Sequence, residues 1–147
     1  MKMKKACLKI SGKYLFLEQV LVYFDLPLFF ICKDMAENRF AVLCYDDEDL
    51  NYIVAEVSLK DIVKMLQNEI PMDVLFTSAR QKWQYQAGVD VETTFVNPVR
   101  NFENEQLPTK GSFFGALNAE VSGYLQKLKS ENSVLLERVG NKKLAVY

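Results

Sequence analysis

Three short apolar runs, Leu28 to Lys33, Arg39 to Tyr45 and Asn51 to Val57, follow one another closely, separated only by Met35-Ala36-Glu37-Asn38 and by an acidic stretch. Runs of this length, rich in β-branched and aromatic residues and joined by short polar connections, predict an antiparallel meander. In FAVLCY both alternating sets are apolar, Phe40, Val42 and Cys44 against Ala41, Leu43 and Tyr45, which predicts a central strand covered on both faces. Ala6 to Ile10 predicts a short first strand turned by Ser11-Gly12. Tyr14 to Phe24 fits two templates. Leu17, Val20, Leu21 and Phe24 fall at helical spacing, whereas the aromatic and β-branched content favours a strand. Pro27 restricts Leu26 to extended geometry and sets a break there.

The period then changes. Ser58 is placed as a helix N-cap with Asp61 at the third helical position, and Leu59, Ile62, Val63 and Leu66 recur at helical spacing. Pro71 opens a second short helix with Asp73 in its first turn, and Trp83, Tyr85 and Ala87 alternate with polar residues as a half-exposed strand. From 88 to 115 the pattern fails: apart from a possible strand at Thr93 to Val96, the stretch is rich in turn residues, which predicts an irregular loop used as a working surface or disordered. Leu117, Val121, Leu125, Leu128, Asn132, Leu135 and Val139 then advance by fours and threes, the seam of an amphipathic helix opening after Asn118 and stopped at Gly140-Asn141. A rival reading ends this helix near Ser130 and folds VLLERV and KLAVY into a hairpin across Gly140-Asn141. The sum is one α+β domain over 1–147, a mostly antiparallel sheet of about five strands packed by a central helix and a C-terminal helix, with a basic tail at 1–5.

Composition narrows the class of protein. The chain has 147 residues, half of them apolar and a quarter charged, with a formal net charge of −1, so it can bury a core and has no overall pull toward nucleic acid or anionic membrane. The charge is uneven, with lysines at Lys2, Lys4, Lys5, Lys9 and Lys13 and seven acids between 34 and 56 against Arg39 alone. Lys9 and Lys13 interrupt what a signal peptide would need as its apolar stretch, and Glu18, Asp25 and Pro27 argue against a membrane span at Tyr14 to Cys32. Cys7, Cys32 and Cys44 have no CxxC spacing and read as buried thiols of a reducing, cytoplasmic compartment.

Candidate chemistry is sparse. Asp46, Asp47, Glu48 and Asp49 lie between two strands, without the central glycine and distal glutamate of a calcium loop. Asp46, Asp47 and Asp49 are the only residues offered as ligands of a cation such as Mg²⁺, against the simpler reading that the acids turn the chain. The chain contains no histidine, which removes Ser-His and Cys-His pairs and the imidazole ligand of most zinc sites, so no catalytic residue and no cofactor are expected. Pro108-Thr109-Lys110-Gly111-Ser112 lacks the glycine and the preceding strand of a phosphate loop. Lysines near both ends make at most a modest stripe, and nucleic acid is not the expected partner. Asn132 is the polar member of the helical seam, a device that elsewhere sets register and partner number. The plainer alternative lays that helix on the domain's own sheet.

YFDLPLFF (Tyr23 to Phe30), the strand pair around Cys44-Tyr45-Asp46, IVAEVS (Ile53 to Ser58) and NEIPMDVLF (Asn68 to Phe76) together resemble a group of small bacterial proteins known only as a domain of unknown function. The likeness spans about residues 14–86, and it departs at Leu26, where such proteins commonly carry glycine. It implies a bacterial cytosolic α+β domain and brings no catalytic residue. The expected function is a non-enzymatic protein-interaction module, an accessory or regulatory subunit that binds a protein partner or dimerises, with Asn132, Leu128, Leu135, Phe102 and Phe113 as interaction residues. The alternatives are a carboxylate-dependent metal enzyme acting on a phosphate-containing substrate, and a weak nucleic-acid-binding protein.

Overall fold

A computed structural model describes the backbone of residues 5–115 and 117–146 and, within these, side chains as far as 132. The chain is α+β. Strands β1 (Ala6–Ile10), β2 (Lys13–Phe24), β3 (Leu26–Lys33), β4 (Arg39–Asp46), β5 (Asn51–Val57), β6 (Lys82–Gln86) and β7 (Val96–Val99) form one seven-stranded antiparallel sheet in sequential order. The sheet thus has more strands than the five or so expected, for two reasons. Tyr14 to Phe24 resolves as a strand, and β7 lies at Val96–Val99 rather than Thr93 to Val96, with Pro98 inside it. Proline lacks the ladder N–H, and β7 tolerates it because it is an edge strand paired only with β6.

The helical spacing in β2 has a structural cause. The ladder with β3 slips between Leu17 and Gln19 and again between Val20 and Val22, so Glu18 and Leu21 are extra, bulged residues. Each bulge re-aims the side chains that follow it, which turns a period of two into steps of three and four. Leu15 and Leu21 would share a face in a regular strand. Instead they enter different cores.

Those two cores lie on opposite faces of the sheet. On one, Phe29, Ile31, Ala41, Ile53 and Ala55 meet the helices through Ile62, Met65, Leu66, Leu75, Phe76, Val121, Leu125 and Leu128. On the other, Leu8, Leu15, Phe30, Cys32, Phe40, Val42, Tyr52, Val54, Trp83 and Tyr85 come from strands alone. Among the described residues no helix packs into this core, and the sheet curls to bury it, bringing β1 round to the loop after β6, where Lys9 Nζ lies 3.2 Å from Glu92 and the Tyr14 hydroxyl donates to the same carboxylate. Tyr52 and Tyr85 stack inside the curl at 5.0 Å, and Phe40 meets Trp83 at 5.9 Å. β4 is the middle strand, and its alternation feeds both cores, as FAVLCY requires.

Helix α1 (Leu59–Leu66) begins at Ser58, whose Oγ accepts the Asp61 N–H at 3.0 Å. Ser58→Ala is expected to cost about 1 kcal/mol in urea denaturation, the usual worth of one N-cap, and a change below a few tenths would show the cap to be idle. Helix α2 (Met72–Thr77) follows Pro71. Helix α3 (Ala119–Val146) starts where Asn118 Oδ1 accepts the Val121 N–H at 2.8 Å, and its backbone continues through Gly140-Asn141, which overturns both the expected stop and the rival hairpin. Glycine and asparagine inside a helix each cost about 1 kcal/mol or less against alanine, too little on their own to end one.

The stretch 88–115 is strapped down rather than loose. Gln106 is buried and donates to Gln84 Oε1 at 2.8 Å, Met72 N–H donates to the Ser112 carbonyl at 2.9 Å, and Asn68 exchanges two hydrogen bonds with Gly115. Gly111 donates its N–H to Asp73 Oδ1 at 3.1 Å, placing a carboxylate where a phosphate loop would hold an anion.

Candidate functional site

The bulge at Glu18 turns its side chain toward the helices, where it becomes the centre of a charge cluster. Arg39 at the start of β4 reaches it with two bonds, Nε to Oε1 at 2.8 Å and Nη2 to Oε2 at 3.1 Å, while the Tyr124 hydroxyl of α3 donates to Oε1 at 2.5 Å and Lys33 Nζ stands 3.4 Å from Oε2. Arg39 Nη2 also donates to Glu131 on α3 at 2.9 Å. The Glu18 and Arg39 side chains keep only 5% and 7% of their surface exposed. Burial alone would raise the Glu18 carboxyl. The hydrogen bonds from Arg39 and Tyr124, with the charges of Arg39 and Lys33, outweigh it and hold the group at about 2. Glu18 and then Glu131 raise Arg39 against the pull of burial, and burial together with Glu18 raises Tyr124, so the cluster is built on a carboxylate, a guanidinium and a neutral phenol. Every group in it is tied to another. It clamps α3 to the sheet.

Beside the cluster opens a cavity of about 760 Å³ between the sheet, α1 and α3, lined by Arg39, Arg80, Glu37, Glu56, Asp61 and Glu131 among others. Acids outnumber guanidiniums there, and Ser58 Oγ on its wall is occupied as a helix cap. Among the described residues lining the cavity, Ser78 Oγ is likewise engaged, donating to the Val74 carbonyl at 2.7 Å. On the opposite face a smaller chamber of about 290 Å³ is lined by Cys7, Phe30, Tyr52 and Tyr85. Burial, and then Cys44, push Tyr52 up to about 12, and burial raises Tyr85 as well, so both are neutral phenols and not bases.

The acidic loop is a turn. Asp46 Oδ1 accepts the N–H groups of Glu48 and Asp49 at 3.2 and 3.4 Å, and its Oδ2 accepts from Asn51 Nδ2 at 3.0 Å, so the first acid of the four binds its own loop. Asp47, Glu48 and Asp49 point to solvent. Asp46, Asp47 and Asp49 are not brought together, and no group of three acidic, cysteine or histidine side chains among the described residues could hold an ion.

The expected interaction residues separate. Leu128 is fully buried in the domain's own core, and Phe102 packs half-buried against Phe76 at 6.3 Å. Their apolar surface is used within the chain because α3 and the part of the stretch from Phe102 to Phe114 pack on the sheet's helical face. Asn132 is half-buried near the end of the described part of α3, Phe113 is 50% exposed, and the Leu135 side chain lies outside the described residues.

Apolar side chains face outward singly at Met35, Val89 and Phe95, and as an adjacent aromatic pair at the β2–β3 hairpin, where Tyr23 is 66% and Phe24 71% exposed beside the partly exposed Val22. Asp25 reverses the chain there at φ 61°, a conformation aspartate tolerates better than most residues, and the Tyr23 hydroxyl donates to its carbonyl at 3.3 Å. The available signal was an Asp-Leu-Pro turn flanked by aromatics. It is hidden inside a run that reads as core by hydropathy. Among the described residues no helix is long and apolar enough to cross a membrane, and Tyr14 to Cys32 is two strands. Compared with protein-family models, curated proteins and solved structures, the chain matches none of them.

Proposed function

We infer that this chain is a non-enzymatic protein-interaction module, a small accessory or regulatory subunit of the bacterial kind its resemblance implies, that engages a protein partner or a second copy of itself through the β2–β3 hairpin. The observation that carries this reading is the adjacent pair Tyr23 and Phe24, held out at 66% and 71% exposure beside the chain reversal at Asp25. Exposed aromatic side chains are among the residues that most often anchor an interface, since they bury large area with few rotatable bonds. The tied-up charge cluster and the self-capped acidic loop supply no reacting group that competes with this reading.

Light scattering on the purified chain and pull-down from the native host are expected to reveal self-association or a partner. The double substitution Tyr23→Ser with Phe24→Ser is expected to weaken that association about tenfold or more, the loss typical of interface anchors, while unfolding stability stays within about 0.5 kcal/mol. A chain that remains monomeric at high concentration and recovers nothing, or an association that the double variant leaves intact, would defeat the reading.

A further inference from the structure

Cys7 and Cys32 are 25 positions apart and on different strands, yet their sulfurs lie 3.0 Å from one another on the strand-only face of the sheet. Both are free thiols. We propose that Cys7 and Cys32 form a dithiol site that a small hydroperoxide oxidises to an intramolecular disulfide, with Cys7 as the attacking residue and Cys32 as the resolving one.

Access divides the roles. Cys7 is half-buried and lines the chamber of about 290 Å³ with Pro27, Tyr52, Tyr85 and Val89, space enough for a peroxide little larger than water, whereas Cys32 is wholly buried behind it. Hydrogen bonding gives the same order. Cys7 Sγ lies 3.4 Å from the Leu15 carbonyl and 3.0 Å from Cys32 Sγ, a contact in which either thiol can donate, and once Cys7 is a thiolate Cys32 is the donor. That bond, outweighing burial, lowers the Cys7 thiol, and it raises Cys32 together with burial. A thiolate is the nucleophile, and here it forms first at the accessible sulfur. The third cysteine, Cys44, is raised chiefly by burial and has no thiol neighbour among the described contacts.

Closing the bond requires the sulfurs to approach by about 1 Å, to the 2.05 Å of a disulfide. The backbone can supply this at Cys7. In the β1–β2 ladder Ala6 pairs with Phe16 and Leu8 with Leu15, so Cys7 is the extra residue of a bulge and can shift without breaking a ladder pair. In the first step the Cys7 thiolate attacks one peroxide oxygen and the O–O bond breaks. The other oxygen leaves as water or alcohol after taking a proton, and Cys7 becomes a sulfenic acid. In the second, Cys32 sulfur attacks Cys7 sulfur, the S–S bond forms, the S–O bond breaks, and hydroxide leaves as water with the Cys32 proton. The two thiols together lose two electrons, and the peroxide gains them.

The test treats the full chain with hydrogen peroxide, counts alkylatable thiols and maps the cross-linked peptides. The expected result is a fall from three free thiols to one, a Cys7–Cys32 cross-link within a single chain, and recovery of all three with dithiothreitol. Cys32→Ser is expected to halt at a Cys7 sulfenic acid that dimedone traps, and Cys44→Ser to oxidise like the native chain. Retention of all three thiols under conditions that fully oxidise glutathione would overturn the proposal. So would a cross-link that uses Cys44 or joins two chains. The native chain carries the decisive measurement, so a variant that fails to fold does not shelter the idea.

Discussion

Arg39→Ala is expected to destabilise the domain by about 3–5 kcal/mol, the usual cost of breaking a buried ion pair by removing one partner. The loss is large because of what stays behind. Glu18 keeps its 5% exposure and its place on the β2 bulge, but it is left with the Tyr124 hydroxyl and the more distant Lys33, while Glu131 on α3 loses its guanidinium. Of the two residues that α3 contributes to the cluster, Glu131 loses its partner and Tyr124 keeps only Glu18, so the helix should loosen before the sheet does. Limited proteolysis is expected to cut α3 in the variant earlier than in the native chain, with urea unfolding followed by circular dichroism giving the overall cost. Arg39→Lys restores charge without the two-pronged bond to Glu18 and should recover only part of the loss. A double-mutant cycle of Arg39→Met with Glu18→Gln should show strong coupling, the pair costing much less than the sum of the singles. A cost below about 1 kcal/mol for Arg39→Ala would mean that the pair behaves as a surface ion pair, and the account of α3 anchoring would fall.

How much of this was legible in the sequence depended on whether a residue answers to its near neighbours in the chain. β5 at Asn51–Val57, the Ser58 cap and the opening of α3 after Asn118 rest on period and capping, and the structure places them where those rules do. β4 read correctly as central because its two faces were both apolar. The misreading of β2 has one cause, the β-bulge. A bulge is set by pairing with a distant strand and leaves only a broken period behind, which in β2 looked like a helix. The residues with the most chemistry, Glu18 and Cys7, both sit at such positions, so neither their neighbours nor their spacing announced them. The acidic quartet reads first as a turn and only second as a cation site, and Asp46 accepts from the N–H groups of its own loop while the other three acids are exposed. Leu128 and Phe102 were apolar residues whose direction depended on where α3 and the 88–115 stretch docked, a fact of tertiary packing. Tyr23 and Phe24 show the converse, an apolar run that packing leaves outside.

Acid should unfold this domain mainly through one group. Glu18 has its folded-state carboxyl at about 2 against an ordinary 4.5, so the ionised form is favoured by the fold. A depressed carboxyl contributes stability that is fully present above the unfolded value and disappears as pH falls toward the folded one, which places the loss between about pH 4.5 and pH 2. The difference corresponds to about 3 kcal/mol, at no more than about 1.4 kcal/mol for each pH unit. Asp90 and Glu92 are also lowered, Asp90 by hydrogen bonds from Thr93 and Glu92 by those from Tyr14 and Lys9, but both are open to solvent at the rim of the curled sheet, where screening leaves little. Glu18→Gln isolates the effect. The variant is less stable than the native chain at pH 7, because Arg39 faces an amide, and the gap between the two is expected to narrow steadily below pH 4.5 as native Glu18 takes up its proton and comes to resemble glutamine. Urea unfolding of both chains at a series of pH values reads this difference directly, and carboxylates common to both cancel. A gap that stays constant from pH 5 to pH 2 would show that the Glu18 carboxylate is not held by Arg39 and Tyr124 in the folded chain, and that α3 is fastened to the sheet by its apolar seam alone.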